Sequence, residues 1–234
     1  MDKKILIFAA TYNEAENINH FIEKILKLNI NLDLLIVDDN SPDKTWEIVN
    51  NYKKKNENIL LIKRGNKEGL DTAHKLAFNY AKEQNYDYLI TLDADLSHDP
   101  AKIPSFLSEL KNQPFVIGSR YIKNGKNEMK LKRYILSVVG NKIIKFVLGI
   151  DCDEFTSAYR GFNLNMLKNF DINKVSSRGY SFFMETVYLL NSIGYDIKQV
   201  PIQFKDRAKG SSKIPQVEIF RTLKNLLLLK IKKQ

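Results

Sequence analysis

The sequence predicts an α/β fold, with one mostly parallel sheet flanked by helices and an amphipathic helix at the C-terminus. Apolar runs of strand length alternate with longer segments of helical period from residue 4 to residue 118. Such alternation is typical of a parallel sheet, because each crossover needs a helix to return the chain to the same edge. The 234 residues, 44% of them hydrophobic, are enough for one domain with a sizeable core.

The predicted strands are short apolar runs, as expected for strands buried on both faces. Residues 4–10 (KILIFAA) and 33–37 (DLLIV) have no charged residue after their first position. The other predicted strands of this half cover residues 59–63, 86–92 and 115–118. Ligands of such sheets bind beyond the carboxyl ends of the strands, so functional residues are expected directly after these runs.

The predicted helices between the strands each have one apolar face. In residues 14–28 the apolar residues recur at helical spacing, with Ile18, Phe21 and Ile25 on the same face. The helix predicted over residues 43–55 follows Ser41-Pro42, a capping residue and a first-turn proline. Two further helices are predicted over residues 71–84 and 101–111.

The alternation becomes irregular after Tyr121. Predicted elements here are helices over residues 131–150, 182–193 and 217–231 and a strand over residues 197–204. The helices at 131–150 and 217–231 could each lie flat on a membrane or dock on the core, and neither has the ~20 consecutive apolar residues that a span needs. We predict a globular domain over residues 1–213 and a basic amphipathic helix over residues 214–234, for which membrane association is one of the two roles considered.

The formal net charge of +10 is concentrated in two segments. Residues 120–145 contain eight basic residues and one acid, and residues 198–234 contain ten basic residues and two acids. The rest of the chain is therefore mildly acidic. This distribution fits a nucleic acid, an anionic membrane surface or a phosphorylated substrate as partner, and a solvated lysine-rich surface is the alternative.

Composition and cysteine content exclude several protein classes. Ten glycines and six prolines are too few for a collagen-like or low-complexity chain. The single cysteine, Cys152, cannot form an internal disulfide. Because the sequence also shows no apolar signal segment at its start, we expect a cytoplasmic protein.

Carboxylates follow three of the predicted strands. Glu14 lies shortly after the first strand, Asp38-Asp39 follows the second, and Asp93-Ala94-Asp95 follows the fourth. Neighbouring strand ends would bring these acids into one cleft, where they repel unless a cation or hydrogen-bond donors balance them. Mg²⁺ binds one or two carboxylates together with substrate phosphates, so we expect a divalent metal here.

Two common nucleotide-binding motifs are absent. The first strand-to-helix turn, AATYNEAEN, contains no glycine and cannot be a G-x-G-x-x-G dinucleotide fingerprint. Gly65 to Gly69 is not followed by the Lys-Ser/Thr of a P-loop. The sequence therefore argues against a dehydrogenase and against a P-loop NTPase.

Resemblance to a known family extends over nearly the whole chain. The segments that carry it are, in order, TYNEAENI, IVDDNSPDKTWEIV, GLDTAHKLA, LDADLSHDP, IGSRY, KRYILS, TSAYRGF, GYSFFMET and VPIQFKDRAKGSSK. They resemble the motifs of the dolichol-phosphate mannose synthases, inverting polyprenol-phosphate glycosyltransferases of family 2 with a GT-A (Rossmann-like) fold. The last segment is the most specific for polyprenol-phosphate acceptors.

The resemblance implies a role for each matching residue. Those that hold the base and ribose of the sugar nucleotide would be Ala10, Tyr12, Glu14, Val37 and Asp39. Those that meet the diphosphate and its Mg²⁺ or Mn²⁺ would be Asp93, Ala94 and Asp95, with Asp95 as the principal metal ligand and Ser97 in the outer part of the metal site. Those that grip donor and acceptor phosphates would be Arg120, Arg133, Ser137, Arg207 and Lys213. Among these, Asp95 and Arg207 would be the catalytic pair.

The function implied by the resemblance is transfer of mannose from GDP-mannose to a dolichyl or polyprenyl phosphate. The nearest alternative keeps this reaction with UDP-glucose or UDP-N-acetylhexosamine as donor. A nucleic-acid-binding protein is the alternative from another class, which we disfavour because such a protein has no use for acids at three strand ends. The expected location is the cytoplasmic face of a membrane, and attachment through a separate anchoring subunit is left open.

Two further acidic or basic residues have alternative interpretations. Glu185 could be a base for a hydroxyl acceptor, or a buried partner for an arginine. His98 follows the Asp-rich turn and could add a metal ligand, although a role in the loop structure is favoured.

Overall fold

The computed structural model describes residues 3–205 and 217–232. Its main sheet consists of β1 (Ile5–Thr11), β2 (Asp33–Asp38), β3 (Ile59–Lys63), β4 (Tyr88–Thr91), β5 (Phe115–Ser119), β7 (Arg160–Asn163) and β8 (Ile197–Pro201). A two-stranded sheet pairs β6 (Lys126–Asn127) with β9 (Gln203–Phe204). The helices are α1 (Ala15–Leu26), α2 (Thr45–Lys53), α3 (Leu70–Glu83), α4 (Ile103–Leu110), α5 (Leu131–Leu148), α6 (Ser181–Ser192) and α7 (Val217–Lys232).

The strand order of the main sheet is β3-β2-β1-β4-β7-β5-β8, and every strand except β7 runs in the same direction. The predicted mostly parallel sheet is therefore confirmed. Strands β2, β1 and β4 are neighbours in this order. The carboxyl ends of these three strands, which the acids follow in the sequence, therefore lie side by side at one edge of the sheet.

Strand β7 was not predicted. It lies antiparallel between β4 and β5, with Gly161 opposite both Ile90 and Val116. Its sequence, RGFN, has neither an apolar run nor an apolar-polar alternation, so periodicity offers no signal for a strand. Gly161 packs closely on α4, because an added Cβ would lie 2.9 Å from a methyl group of Leu110, which would have to shift.

The prediction of a single strand over residues 197–204 is wrong. The structure divides it into β8 in the main sheet and β9 in the small sheet. The change of partner occurs at Ile202, whose N–H donates to Ser119 O while its carbonyl accepts from Lys126 N. Because β5 ends at Ser119, the chain beyond Ile202 has no partner left in the main sheet.

The core forms one layer on each face of the sheet. Along β1, Leu6 and Phe8 pack on the face covered by α3, α5, α6 and α7, whereas Ile7 and Ala9 pack on the face covered by α1, α2 and α4. Successive strand residues point to opposite faces. The continuous apolar runs therefore arise because both faces are buried.

Helix α7 packs on the domain. Its Leu226 and Leu229 are almost completely buried, and the helix contacts α5 and α6. The predicted domain boundary at residues 213 and 214 lies outside the described residues, so the division remains a prediction. None of the helices in the described parts of the chain is long and apolar enough to cross a bilayer.

Gly125 closes the tight turn between β5 and β6. A Cβ added at this position would lie 2.8 Å from Arg120 C and 2.9 Å from two backbone carbonyl oxygens. Gly125→Ala is expected to lower the free energy of unfolding by about 2 kcal/mol, because backbone cannot move aside as a flexible side chain can. Thermal denaturation should show a Tm lower by about 4–8 °C.

The matched control is Gly140→Ala in α5, where an added Cβ meets nothing within 4 Å. The free energy of unfolding of this variant should be unchanged or higher by up to about 1 kcal/mol, because alanine is more favourable than glycine in a helix interior. Equal Tm values for the two variants would contradict the assigned role of the turn.

Candidate active site

The two acids at the end of β2 are held by protein donors. Asp38 accepts hydrogen bonds from Thr11 Oγ1 at 2.7 Å, Ser41 N at 2.8 Å and Ser41 Oγ at 2.7 Å. Asp39 forms a buried ion pair with Arg64 and also accepts from the backbone N–H of Glu68 at 3.2 Å. The charges of these two acids are therefore balanced by hydrogen-bond donors and by Arg64, which is the alternative to a cation, and a metal at this edge is expected at the loop after β4.

The loop after β4 carries the remaining acids of this edge. The Asp93 side chain is 37% exposed, whereas Asp95 is buried. Asp95 Oδ1 accepts the N–H of Ser97 at 3.0 Å, and Leu96 between them adopts φ 64°. The buried Ser97 Oγ has no hydrogen-bond partner among residues 3–205 and 217–232.

This loop fits a hard divalent cation. Two carboxylates and a hydroxyl within five residues offer only oxygen donors, which Mg²⁺ and Mn²⁺ prefer. The orphaned Ser97 Oγ is a polar atom that a bound ion or its water would satisfy. No group of three or more His, Cys, Asp or Glu residues that could hold a metal ion lies in the described part of the chain. A metal here would therefore draw further ligands from substrate phosphate oxygens.

His98 packs beneath the loop after β4 in the protein interior and accepts one of its backbone N–H groups. Its side chain is buried against Tyr159 and Phe204, and Nδ1 accepts the N–H of Asp93 at 3.3 Å. Burial lowers the pKa of His98 to about 4. The imidazole is therefore neutral at pH 7, and its 3.4 Å approach to the Asp93 carboxylate is not an ion pair. This arrangement agrees with the favoured structural role.

The residues predicted to hold the base and ribose lie at the ends of β1 and β2. Ala10 is partly exposed and pairs with Val37 across the two strands, and the Val37 side chain is buried in the core. The Tyr12 ring is half-buried with Lys67 Nζ 4.0 Å from its centroid. Glu14 Oε2 accepts from Asn17 Nδ2 at 2.8 Å.

Three of the five predicted phosphate-binding residues lie in the described part of the chain. Arg120 follows β5, and the hydroxyl of its neighbour Tyr121 lies 2.5 Å from Ser137 Oγ on α5. Arg133 is half-buried one helical turn before Ser137. The two other predicted phosphate ligands, Arg207 and Lys213, lie outside the described residues.

Phe204 connects the acidic loop with Arg120. Its ring centroid lies 4.6 Å from Arg120 Cζ and 5.6 Å from the His98 ring centroid. The N–H of Lys205 donates to Ser97 O at 3.2 Å. The cationic and anionic parts of the site are therefore neighbours, separated by one aromatic ring.

Glu185 is buried rather than exposed. Its carboxylate accepts hydrogen bonds from Ser176 Oγ at 3.1 Å and Ser177 N at 2.6 Å. No arginine within residues 3–205 and 217–232 pairs with it, so the structure favours a structural role over that of a base for a hydroxyl acceptor. The carboxylate holds the loop that precedes α6.

Three residues of the site were not identified from the sequence. Arg64 holds Asp39, and Glu154 and Thr156 hold Arg120. Glu154 stands in the run DCDE, which has the composition of an exposed turn, so no local signal marks it as buried. The signal for Arg64 is equally weak, because a lone arginine after a strand is common.

A cavity of about 580 Å³ lies beside this site, between the loop before α3, the loop before α6 and α7. Its lining includes Glu68, Asp71, Arg178 and Arg221. Asp71 connects two of its walls, because its Oδ1 accepts the N–H of Gly179 at 3.0 Å. None of the predicted site residues that the structure describes lines this cavity.

Comparisons with known proteins identify the family of the chain. The model of the family "Glycosyl transferase family 2" matches residues 6–170. The undecaprenyl-phosphate mannosyltransferase of Micrococcus luteus is 30% identical over 212 residues, which cover 90% of this chain and 87% of that protein. The polyprenol monophosphomannose synthase of Mycolicibacterium smegmatis is 29% identical over 215 residues, which cover 91% of this chain and 81% of that protein.

Solved structures share the fold at low sequence identity. Glucosyl-3-phosphoglycerate synthase from Mycobacterium tuberculosis, in complex with Mn²⁺, UDP-glucose and glycerol 3-phosphate, has a TM-score of 0.67 at 16% identity over 98% of this chain and 79% of that chain. A mannosyltransferase from Pyrobaculum calidifontis, in complex with GDP-Man and Mn²⁺, has a TM-score of 0.58 at 15% identity over 98% of this chain and 63% of that chain. These likenesses concern the fold alone, and they agree with the predicted GT-A architecture.

Proposed function

The chain belongs to glycosyl transferase family 2, and from this premise we propose that it transfers mannose from GDP-mannose to a polyprenyl phosphate with inversion at the anomeric carbon. The observation that carries the proposal is the juxtaposition of the oxygen-rich loop at Asp93 and Asp95 with the cationic Arg120, on the two sides of His98 and Phe204. A reaction between two anionic substrates needs both. The names of the two curated relatives, which match about 90% of the chain, support mannose and a polyprenyl phosphate as substrates.

The proposed chemistry needs no general base. A phosphate monoester has a second pKa of ~6, so the acceptor is largely a dianion at pH 7 and is already a nucleophile. One of its oxygens forms a bond to the anomeric carbon, the bond from that carbon to the diphosphate oxygen breaks, and GDP leaves with the electron pair. His98 is buried and Glu185 accepts hydrogen bonds from Ser176 and Ser177, so neither side chain is an exposed base.

Asp93 and Asp95 would hold the divalent cation, Mg²⁺ or Mn²⁺, with Ser97 Oγ on its outer side. When bound, the cation supplies positive charge to the diphosphate leaving group. The residues themselves orient this loop, because Asp95 accepts the Ser97 N–H and His98 accepts the Asp93 N–H. Mn²⁺ in the two solved structures of the fold supports a divalent metal in general rather than one ion in particular.

The basic residues would screen the acceptor from the donor. Arg120 and Arg133 are the described basic residues of the proposed site, and we propose that Arg207 and Lys213 also bind phosphate there. Arginine suits this task because its fork binds two phosphate oxygens at once. Charge neutralisation is what permits a dianion to approach a diphosphate at reaction distance.

An exposed apolar face supports attachment to the membrane. On α5 the side chain of Phe146 is 88% exposed and that of Leu131 is 71% exposed. Helix α7 lies against α5 and adds Leu227 and Ile231, which are 62% and 67% exposed. Since a polyprenyl acceptor stays in the bilayer, we propose that α5 and α7 rest on the cytoplasmic membrane face. A separate anchoring subunit would add to this attachment.

Helix α5 carries both proposed phosphate ligands and the proposed membrane-binding side chains. Its half-buried side carries Arg133 and Ser137, and its exposed side carries Leu131 and Phe146. A lipid phosphate approaching from the bilayer would therefore reach the phosphate ligands without leaving the surface. In this proposal residues 1–213 form the catalytic domain, and residues 214–234 form the basic helix that completes the membrane face.

The experiment that tests the function uses the purified chain, radiolabelled GDP-mannose and undecaprenyl phosphate in detergent. Mannosyl lipid should form, EDTA should lower its rate by about 100-fold or more, and added Mg²⁺ or Mn²⁺ should restore it. UDP-glucose and UDP-N-acetylglucosamine in parallel reactions determine the donor. Transfer that is unaffected by EDTA would exclude the metal, and faster transfer from a UDP-sugar would replace the proposed donor.

A further inference from the structure

Arg120 is fixed on three sides by residues outside the predicted site. Its Nε donates to Glu154 Oε2 at 2.7 Å, and its Nη2 lies 3.3 Å from both Glu154 Oε1 and Thr156 Oγ1. The rings of Phe204 and Tyr121 lie 4.6 Å and 5.2 Å from Cζ. The guanidinium group therefore has little freedom to change its plane or its direction.

The carboxylate that holds Arg120 is itself held rigidly. Glu154 is fully buried, and its Oε1 also accepts from Thr156 Oγ1 at 2.8 Å and from Thr156 N at 3.0 Å. The next residue, Phe155, donates its N–H to Asn141 Oδ1 on α5 at 2.8 Å. The buried Arg160 donates to the carbonyl of Phe155 at 2.9 Å. Both oxygens of Glu154 therefore occupy fixed positions.

This pair leaves one edge of Arg120 for a ligand. Nε and Nη2 are used by Glu154 and Thr156, whereas Nη1 makes no hydrogen bond to any residue in the ranges 3–205 and 217–232. Burial by itself lowers the pKa of Arg120, but the Glu154 carboxylate more than offsets this, so the pKa lies above its ordinary value. The free edge thus keeps its positive charge.

A buried ion pair of this kind is not explained by stability alone. The desolvation of both charges opposes their attraction, and apolar side chains of similar volume would fill the space equally well. What the pair provides is orientation, because two parallel hydrogen bonds fix the plane of the guanidinium. We propose that Glu154 is a positioning residue, which directs the Nη1 edge of Arg120 at the phosphate of the lipid acceptor. This inference rests on the proposed function.

The test uses Glu154→Gln, whose amide has nearly the same volume but only one oxygen to accept hydrogen bonds. The variant should raise KM for undecaprenyl phosphate by about 10- to 100-fold, while KM for GDP-mannose changes less than about twofold. Glu154→Asp, which keeps the charge, should recover part of the loss. Glu109→Gln removes one carboxylate from a surface pair with Lys198 and is the matched control, expected to behave as the unaltered chain.

A double-mutant cycle separates positioning from a general structural role. In an Arg120→Met background, Glu154→Gln should have almost no further effect on KM, because Glu154 acts through Arg120. If the effects of the two substitutions multiply, or if Glu154→Gln alters both KM values equally, the positioning role is wrong. Thermal denaturation of each variant identifies any that fails to fold, and Glu154→Asp then serves in its place.

Calorimetric binding of farnesyl phosphate without a donor gives a second readout that does not depend on turnover. If the unaltered chain binds this probe and Glu154→Gln binds it at least about tenfold more weakly, the positioning role holds even where no mannosyl lipid forms. That combination overturns only the proposed donor or reaction. If the unaltered chain makes mannosyl lipid and Glu154→Gln binds the probe normally, only the positioning role is overturned. If the unaltered chain neither binds the probe nor makes mannosyl lipid, both fail.

Discussion

Asp95→Asn is expected to reduce mannosyl transfer by about 100- to 1,000-fold while the protein remains folded. Asparagine keeps the volume of Asp95 and the oxygen that accepts the Ser97 N–H, so the loop conformation can persist. It removes the negative charge that we propose as the principal metal ligand. Initial rates with radiolabelled GDP-mannose at saturating Mg²⁺ or Mn²⁺ measure the loss, and circular dichroism with thermal denaturation measures the fold.

The matched control is Asp99→Asn, the same substitution four residues further along. The Asp99 side chain is 45% exposed and caps a short helix by accepting the N–H of Ala101, which asparagine can also do. Its activity should stay within about twofold of the unaltered chain, as is usual for exposed sites away from the chemistry. An Asp95→Asn variant that keeps more than a tenth of the activity would contradict the assignment of this loop.

The second large effect concerns the apolar face of α5. Leu131→Glu combined with Phe146→Glu should weaken binding to vesicles of phosphatidylglycerol and undecaprenyl phosphate by about 100-fold or more. Each substitution removes a side chain whose burial is worth about 1.5–3 kcal/mol and adds a negative charge that anionic lipid repels. Both side chains are largely exposed, so the fold should not change. Vesicle co-sedimentation measures the binding.

The soluble acceptor farnesyl phosphate separates membrane attachment from catalysis. The double variant should transfer mannose to it at nearly the normal rate, because neither substituted residue is a proposed phosphate ligand. Met166→Glu is the control for placing one charge on an exposed apolar residue away from α5, and it should leave vesicle binding unchanged. Retained vesicle binding in the double variant would exclude this face as the attachment surface.

Much of the fold could be predicted from the sequence because both faces of the sheet are buried. That burial gives β1, β2 and β5 uninterrupted apolar runs, and the amphipathic helices between them are equally periodic. Strand β7 escaped prediction because its position depends on pairing with β4 and β5 rather than on its own apolar residues. The division of β8 from β9 likewise depends on where a distant partner, β5, ends.

The candidate site could be predicted only where its residues follow a strand directly. Asp93 and Asp95 are identified by the apolar run before them, and the structure places them at the expected edge. The partners of the other acids are distant in sequence: Arg64 is 25 residues from Asp39, and Glu154 is 34 residues from Arg120. Spacing along the chain therefore cannot distinguish an acid that binds a ligand from one that holds an arginine.

The central claim is that the mannose acceptor is a phosphate, and the linkage in the lipid product tests it most directly. Undecaprenyl phosphate should be incubated with GDP-mannose and the enzyme, and the purified product examined by ³¹P NMR and mass spectrometry. If a phosphate is the acceptor, the lipid phosphomonoester becomes a phosphodiester that carries one hexose, and GDP is released in equal amount. A hexose attached to a hydroxyl group, with the phosphomonoester intact, would contradict it.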